Sequence, residues 1–202
     1  GFTSPLVGRR YRVEVSPTIG TLRYYSLLGD YRRYFLAQPF TVAFRGMHYG
    51  RYGQDSDGFS EDRQQFLLSP IYLGYETLVR GYSRESFSGA ECRPPEDSPG
   101  ACPAFDRLIG SRIAVANFEV RVPLFGVPEL GLINFPFLPT ELSAFVDAGV
   151  AWSSGDRVSW EFARQSFERI PVVSTGVSAR FNLLGYLILE TYYAYPFQRP
   201  DK

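Results

Sequence analysis

The 202-residue chain is poor in the residues that most often carry enzyme chemistry: it has one His, two Cys, one Met and two Trp. A lone imidazole, His48, and two cysteines fall short of the ligand set a zinc site needs, so no metal is expected. There is no Gly-x-Ser-x-Gly, no phosphate-binding loop and no dinucleotide fingerprint, so neither a cofactor nor an enzymatic site is expected. His48 in "RGMHYGRYG" falls on the apolar face of its segment, where an interfacial aromatic role suits it better than that of a base. Charge of one sign is also lacking. Twenty-one Lys and Arg balance twenty-one Asp and Glu, which leaves no basic stripe to attract nucleic acid. Long apolar runs are missing too, which excludes a membrane-spanning helix but not membrane-spanning strands, whose signal is far weaker. No segment keeps a helical period.

Aromatic residues are plentiful, with fourteen Tyr and seventeen Phe, and they favour strands. The dominant period is two. In "RIAVANFEVRVPLF" Ala114, Ala116, Phe118, Val120 and Val122 oppose Ile113, Val115, Asn117, Glu119 and Arg121. In "LSAFVDAGVAW" Leu142, Ala144, Val146, Ala148 and Val150 oppose Ser143, Phe145, Asp147, Gly149 and Ala151. "VSTGVSARFN" and "LILETYYAYPF" alternate likewise, as do "RRYRVEVSPT", "YYSLLGDYRRYFLA" and "FTVAFRGMHYG" nearer the start. Seven strands are predicted, near 9–19, 23–37, 40–51, 110–124, 141–152, 171–183 and 186–197. Each has one apolar face and one small or polar face, with aromatics toward the ends. That is the pattern of a transmembrane antiparallel barrel, and alternation alone also fits a soluble barrel or sandwich. Membrane barrels of single bacterial chains have even strand counts, so an eighth strand or a larger wall is expected.

Between the third and fourth strands lies a long segment, 53–109. Its Pro-rich stretch "ECRPPEDSPGAC" holds Cys92 and Cys102, spaced to close a loop disulfide. Such a bond points to an oxidising compartment, the alternative being two free thiols. The acidic turns "QDSDG" and "EDSPG" lack the ordered ligand spacing of a dedicated calcium site and read as exposed loops.

Four stretches, "LVRGYSRESF", "VANFEVRVPLFG", "LSAFVDAGVAW" and "STGVSARFNLLGYLILETYYAYPFQRP", occur in that order. Together they resemble the C-terminal half of the barrel of the bacterial surface-antigen, or Omp85, superfamily, which includes BamA-like and TamA-like outer-membrane insertases and translocases. The resemblance implies an up-and-down antiparallel barrel in the bacterial outer membrane. It also implies that 53–109 is an extracellular loop folded back into the lumen within a single 1–202 barrel domain. Arg80-Gly81-Tyr82 matches the family's Arg-Gly-aromatic motif, whose arginine meets acidic residues of the inner wall. The matching positions are Glu119 and Asp147.

Strand parity alone also puts Glu119 and Asp147 on the polar faces of consecutive strands. Two adjacent carboxylates repel, and one tends to hold its proton. A guanidinium between them removes the conflict and bonds both through its planar fork. Gly81 permits a tight turn, and Tyr82 brings a ring with a polar tip. Arg80 as a solvated loop arginine is the plain alternative.

The resemblance implies partners: outer-membrane lipid, client outer-membrane proteins, and a periplasmic domain ahead of the barrel. Two features depart from the insertase pattern. No POTRA domain lies within these 202 residues, and only about half of the family's sixteen strands fit. The chain starts in mid-pattern at Gly1 and is expected to be the C-terminal piece of a longer protein. The expected role is membrane-protein assembly, insertion or export, the alternative being a passive anchor or small plugged barrel serving a fused or partner domain.

Overall fold

A computed structural model describes residues 5–60, 65–92, 102–127, 131–135, 137–162 and 168–199. Seven long strands dominate it: β1 (Gly8–Thr18), β2 (Tyr24–Ala37), β3 (Phe40–Tyr52), β4 (Arg112–Gly126), β5 (Thr140–Trp152), β6 (Val172–Leu183) and β7 (Leu187–Pro196). All lie within about two residues of the bounds expected from period two. The strands pair antiparallel in chain order, β1 to β7. A two-residue strand, Ile133–Asn134, adds to β4 in parallel. Helix is limited to short turns and Pro103–Asp106.

The meander expected from the sequence is therefore present, but its closure is not. Among the described residues, β1 and β7 each pair with one neighbour, so the sheet is an open wall. A barrel requires those two edges to meet directly or through further strands.

The two faces of the wall differ. On one, Tyr11, Val13, Phe44, Phe118, Val146, Val177 and Tyr193 are between 41% and 75% exposed. A contiguous apolar face of this kind is unlike the scattered apolar residues of a water-facing surface. On the other face, Ile113, Val115, Glu119, Phe145 and Asp147 are buried. Alternation places them there, because successive side chains of a strand point to opposite sides.

What buries them is the segment between β3 and β4. Short strand pairs form at Phe59–Ser60 with Gln65–Phe66 and at Ile71–Tyr72 with Ile109–Gly110, the latter narrowing the base of the loop. Cys92 and Cys102 form a disulfide; the residues between them, including "EDSPG", lie outside the described residues. The main core is the seam between loop and wall. Leu73, Val79, Tyr82 and Leu108 from the loop pack on Ile113 and Val115 of β4, Ala151 of β5 and Val172 of β6. Full burial of each aliphatic side chain contributes about 1.5–3 kcal/mol. Gly149 of β5 makes the approach possible: a Cβ there would lie 2.8 Å from Val79 Cγ2 and 2.9 Å from Leu73 Cδ1.

Candidate functional site

The seam leads directly into a charged cluster, because Val79 of the core is followed by Arg80. Arg80 is 6% exposed, Glu119 8% and Asp147 0%. Arg80 Nε donates to Asp147 Oδ2 at 2.7 Å and Nη2 to Oδ1 at 2.9 Å, a two-pronged pair. The Arg80 backbone N–H adds a third bond to Oδ2 at 3.2 Å. Nη2 also reaches Glu119 Oε1 at 2.8 Å. The guanidinium lies 3.5 Å above the centre of the Phe145 ring, so a cation–π contact covers the face that its in-plane hydrogen bonds leave free.

The register explains this geometry. Asp147 is directly opposite Asn117, and Glu119 is directly opposite Phe145. The two carboxylates are thus diagonal neighbours across β4 and β5, with room between them for one guanidinium. Asn117 Nδ2 donates to Asp147 Oδ1 at 2.9 Å and to the Leu78 carbonyl at 2.7 Å. One side chain thereby ties the wall carboxylate to the loop backbone, just before the arginine.

The other residues of the tripeptide occupy distinct places. Gly81 has φ +87°, and a Cβ on it would lie 3.1 Å from Ala194 Cβ of β7; conformation and space both favour glycine. The Tyr82 hydroxyl lies 2.9 Å from the Val173 carbonyl and 2.8 Å from Gln198 Oε1. Burial pushes its phenol up to about 12, so it stays neutral and keeps its proton for hydrogen bonding.

The cluster extends further than Arg80, Glu119 and Asp147. Arg121 Nη2 lies 2.6 Å from Glu119 Oε2. Arg180 of β6 reaches Glu141 at 3.1 Å, Glu190 at 2.9 Å and Glu119 at 3.5 Å. Glu119, Arg121, Arg180 and Glu190 line a cavity of about 400 Å³ between loop and wall, and Arg32 and Arg45 of the neighbouring strands line it too. Strand parity marks every one of them as inward, since Asn117 and Arg121 flank Glu119 at intervals of two.

A second loop contact had no signal in the sequence. Arg199, 2% exposed, follows the end of β7 and meets Glu91 in a two-pronged pair at 2.7 and 2.8 Å. It also donates to the Gly81 carbonyl at 3.0 Å and to the Ser86 carbonyl at 2.6 Å. The Arg199 hydrogen bonds hold the Glu91 carboxyl down to about 2. Glu91 immediately precedes Cys92, so the tail residue grips the loop at its disulfide.

His48 is occupied at both ring nitrogens. One contacts the Ile113 carbonyl at 2.9 Å and the other the Tyr52 hydroxyl at 2.6 Å. Its ring stacks on Trp152 with centroids 5.8 Å apart. Asp55 and Asp57 of the "QDSDG" turn accept hydrogen bonds from the Arg23 and Ser154 backbones.

No curated protein matches the chain. The family model of the Omp85 superfamily domain matches residues 4–202. Proteins of that superfamily are outer-membrane proteins, in Gram-negative bacteria and organelles, of the assembly and secretion machinery. A match over nearly the whole chain, on a wall with an apolar outer face and a charged inner cluster, shows that this protein belongs to the Omp85 superfamily.

Proposed function

We propose that the chain is part of a membrane-spanning barrel wall in a bacterial outer membrane, and that it works in the insertion, assembly or export of membrane proteins. The observation that carries this reading is the division of the sheet into an exposed apolar face and an inner charged face. Lipid takes the apolar face, and the ion cluster sits where hydrocarbon does not reach. The segment 53–109 is then an extracellular loop turned back into the lumen, within one barrel domain. Arg80 fastens it to the wall at Glu119 and Asp147, Tyr82 bonds Val173 and Gln198 beside it, and the Cys92–Cys102 disulfide fixes its far part. Arg80 takes no part in bond-making chemistry and acts through the position of the loop.

Reconstitution tests the role. The full-length protein in liposomes should accelerate the folding of an unfolded client barrel over protein-free liposomes. Equal rates with and without the protein would contradict the insertase role. A second reading is favoured by the aliphatic seam under the loop, which fills the space inside β4–β6: a plugged wall that anchors a fused or partner domain. That reading predicts no acceleration, together with correct membrane insertion of the protein itself.

A further inference from the structure

Arg9 and Arg33 stand directly opposite each other across β1 and β2. The register puts them on the face that carries Tyr11 and Tyr31, away from the inner ion cluster. Like charges directly opposite in a sheet repel, yet neither arginine has an acidic partner among the described residues. Arg33 makes one contact of note, its guanidinium lying 4.8 Å over the Phe35 ring. The two arginines line an open hollow of about 500 Å³ with Val7, Phe35 and Leu36.

Position along the wall adds the second half of the case. Arg9 is near the start of β1, and Arg33 lies in the last third of β2, before Tyr34–Ala37 lead into the turn to β3. Both therefore lie toward the end of the wall away from the long loop. An arginine on a lipid-facing strand is costly at the membrane midplane and close to neutral near the interface. Two uncompensated arginines on an apolar face thus belong at the boundary, where phosphate is the abundant anion.

We propose that Arg9 and Arg33 bind the phosphate of an anionic phospholipid headgroup at the membrane boundary opposite the long loop. The proposal rests on the membrane-wall reading above. Two guanidinium forks match the phosphate oxygens and cancel their own repulsion through the shared anion. Val7, Phe35 and Leu36 flank the site with the apolar surface that the start of an acyl chain requires.

The test uses the full-length protein reconstituted in vesicles of phosphatidylcholine, with and without phosphatidylglycerol, and reads retained lipid by native mass spectrometry. Selective retention of phosphatidylglycerol is expected, with a loss of about tenfold or more in the Arg9→Ala/Arg33→Ala variant, the equivalent of one charge-assisted contact. The Arg9→Lys/Arg33→Lys variant should keep part of the preference. Equal retention of the two lipids, or unchanged selectivity in the alanine variant, overturns the site. Displacement of the lipid by inorganic phosphate overturns the choice of a lipid. Heat-modifiable gel mobility of each sample reports insertion; failure of the unmodified protein to insert overturns the membrane-wall reading, and the lipid site with it.

Discussion

Along β4, β5 and β6 the inner face of the sheet is sealed, while along β1 the same face stands open. Phe145 and Asp147 are 2% and 0% exposed under the loop. Arg12 and Glu14 of β1 pair with each other, and their side chains remain 60% and 45% exposed. Asp30, Arg32 and Arg45 lie between the two extremes, in a pair network that the loop only borders. All three regions show the same alternation of apolar and charged residues. The difference comes from the loop, whose aliphatic residues build their core on β4–β6, with Met47 and Tyr49 of β3 at its margin, and leave β1 bare. An inner-wall charge is therefore structural where the loop covers it and close to neutral where it does not.

Substitutions along the gradient should separate the two. Arg80→Ala leaves Asp147 buried without its cation, and breaking a buried pair this way costs about 3–5 kcal/mol. The loop should then be cleaved by protease under conditions where the unmodified protein resists. Unchanged resistance would put Arg80 on a par with Arg12.

Cutting the disulfide comes next. Cys92→Ser/Cys102→Ser should cost about 2–4 kcal/mol of loop stability. Hydrogen exchange should rise around Glu91 and spread to Arg199, since the tail grips the loop beside the bond. Exchange confined to the residues between the cysteines would separate the two contacts.

Acid should act on the Glu91–Arg199 pair. Glu91 is held down to about 2 from an ordinary value near 4.5. Its contribution is thus complete above about pH 4.5 and is lost as pH falls through about 2. Protection of the loop around Glu91 should decline over that window in the unmodified protein and be low throughout in Glu91→Gln. A flat profile in the unmodified protein would contradict the pair.

The smallest effect belongs to the open side. Arg12→Ala removes an exposed pair, and stability should change by about 0–1 kcal/mol. A loss as large as that of Arg80→Ala in the same thermal assay would erase the distinction between sealed and open wall.

Much of this was legible before any coordinates. Period two located all seven strands and put Glu119, Asp147, Arg180 and Glu190 on one face, because a pleated strand has no other way to arrange its side chains. Register was not legible. Parity makes Glu119 and Asp147 inward, but only pairing shows that Asn117 faces Asp147 and that Phe145 faces Glu119. Parity puts Phe145 on the face of Ser143 and Asp147, but nothing in the sequence tells that its ring underlies the guanidinium. The Arg199–Glu91 contact spans 108 residues and lies outside the strands, where no period reports it. Closure of the sheet was not legible either, since alternation describes each strand and says nothing of how edges meet.

A double-mutant cycle on Arg80→Ala and Asp147→Ala, read through hydrogen-exchange protection of residues 72–91 in the reconstituted full-length protein, tests the central claim most directly. If the loop is held to the wall through this pair, the double variant loses less than the sum of the single losses, by roughly 0.5–3 kcal/mol. Additive losses would contradict it, because they would show that Arg80 and Asp147 act on the loop independently.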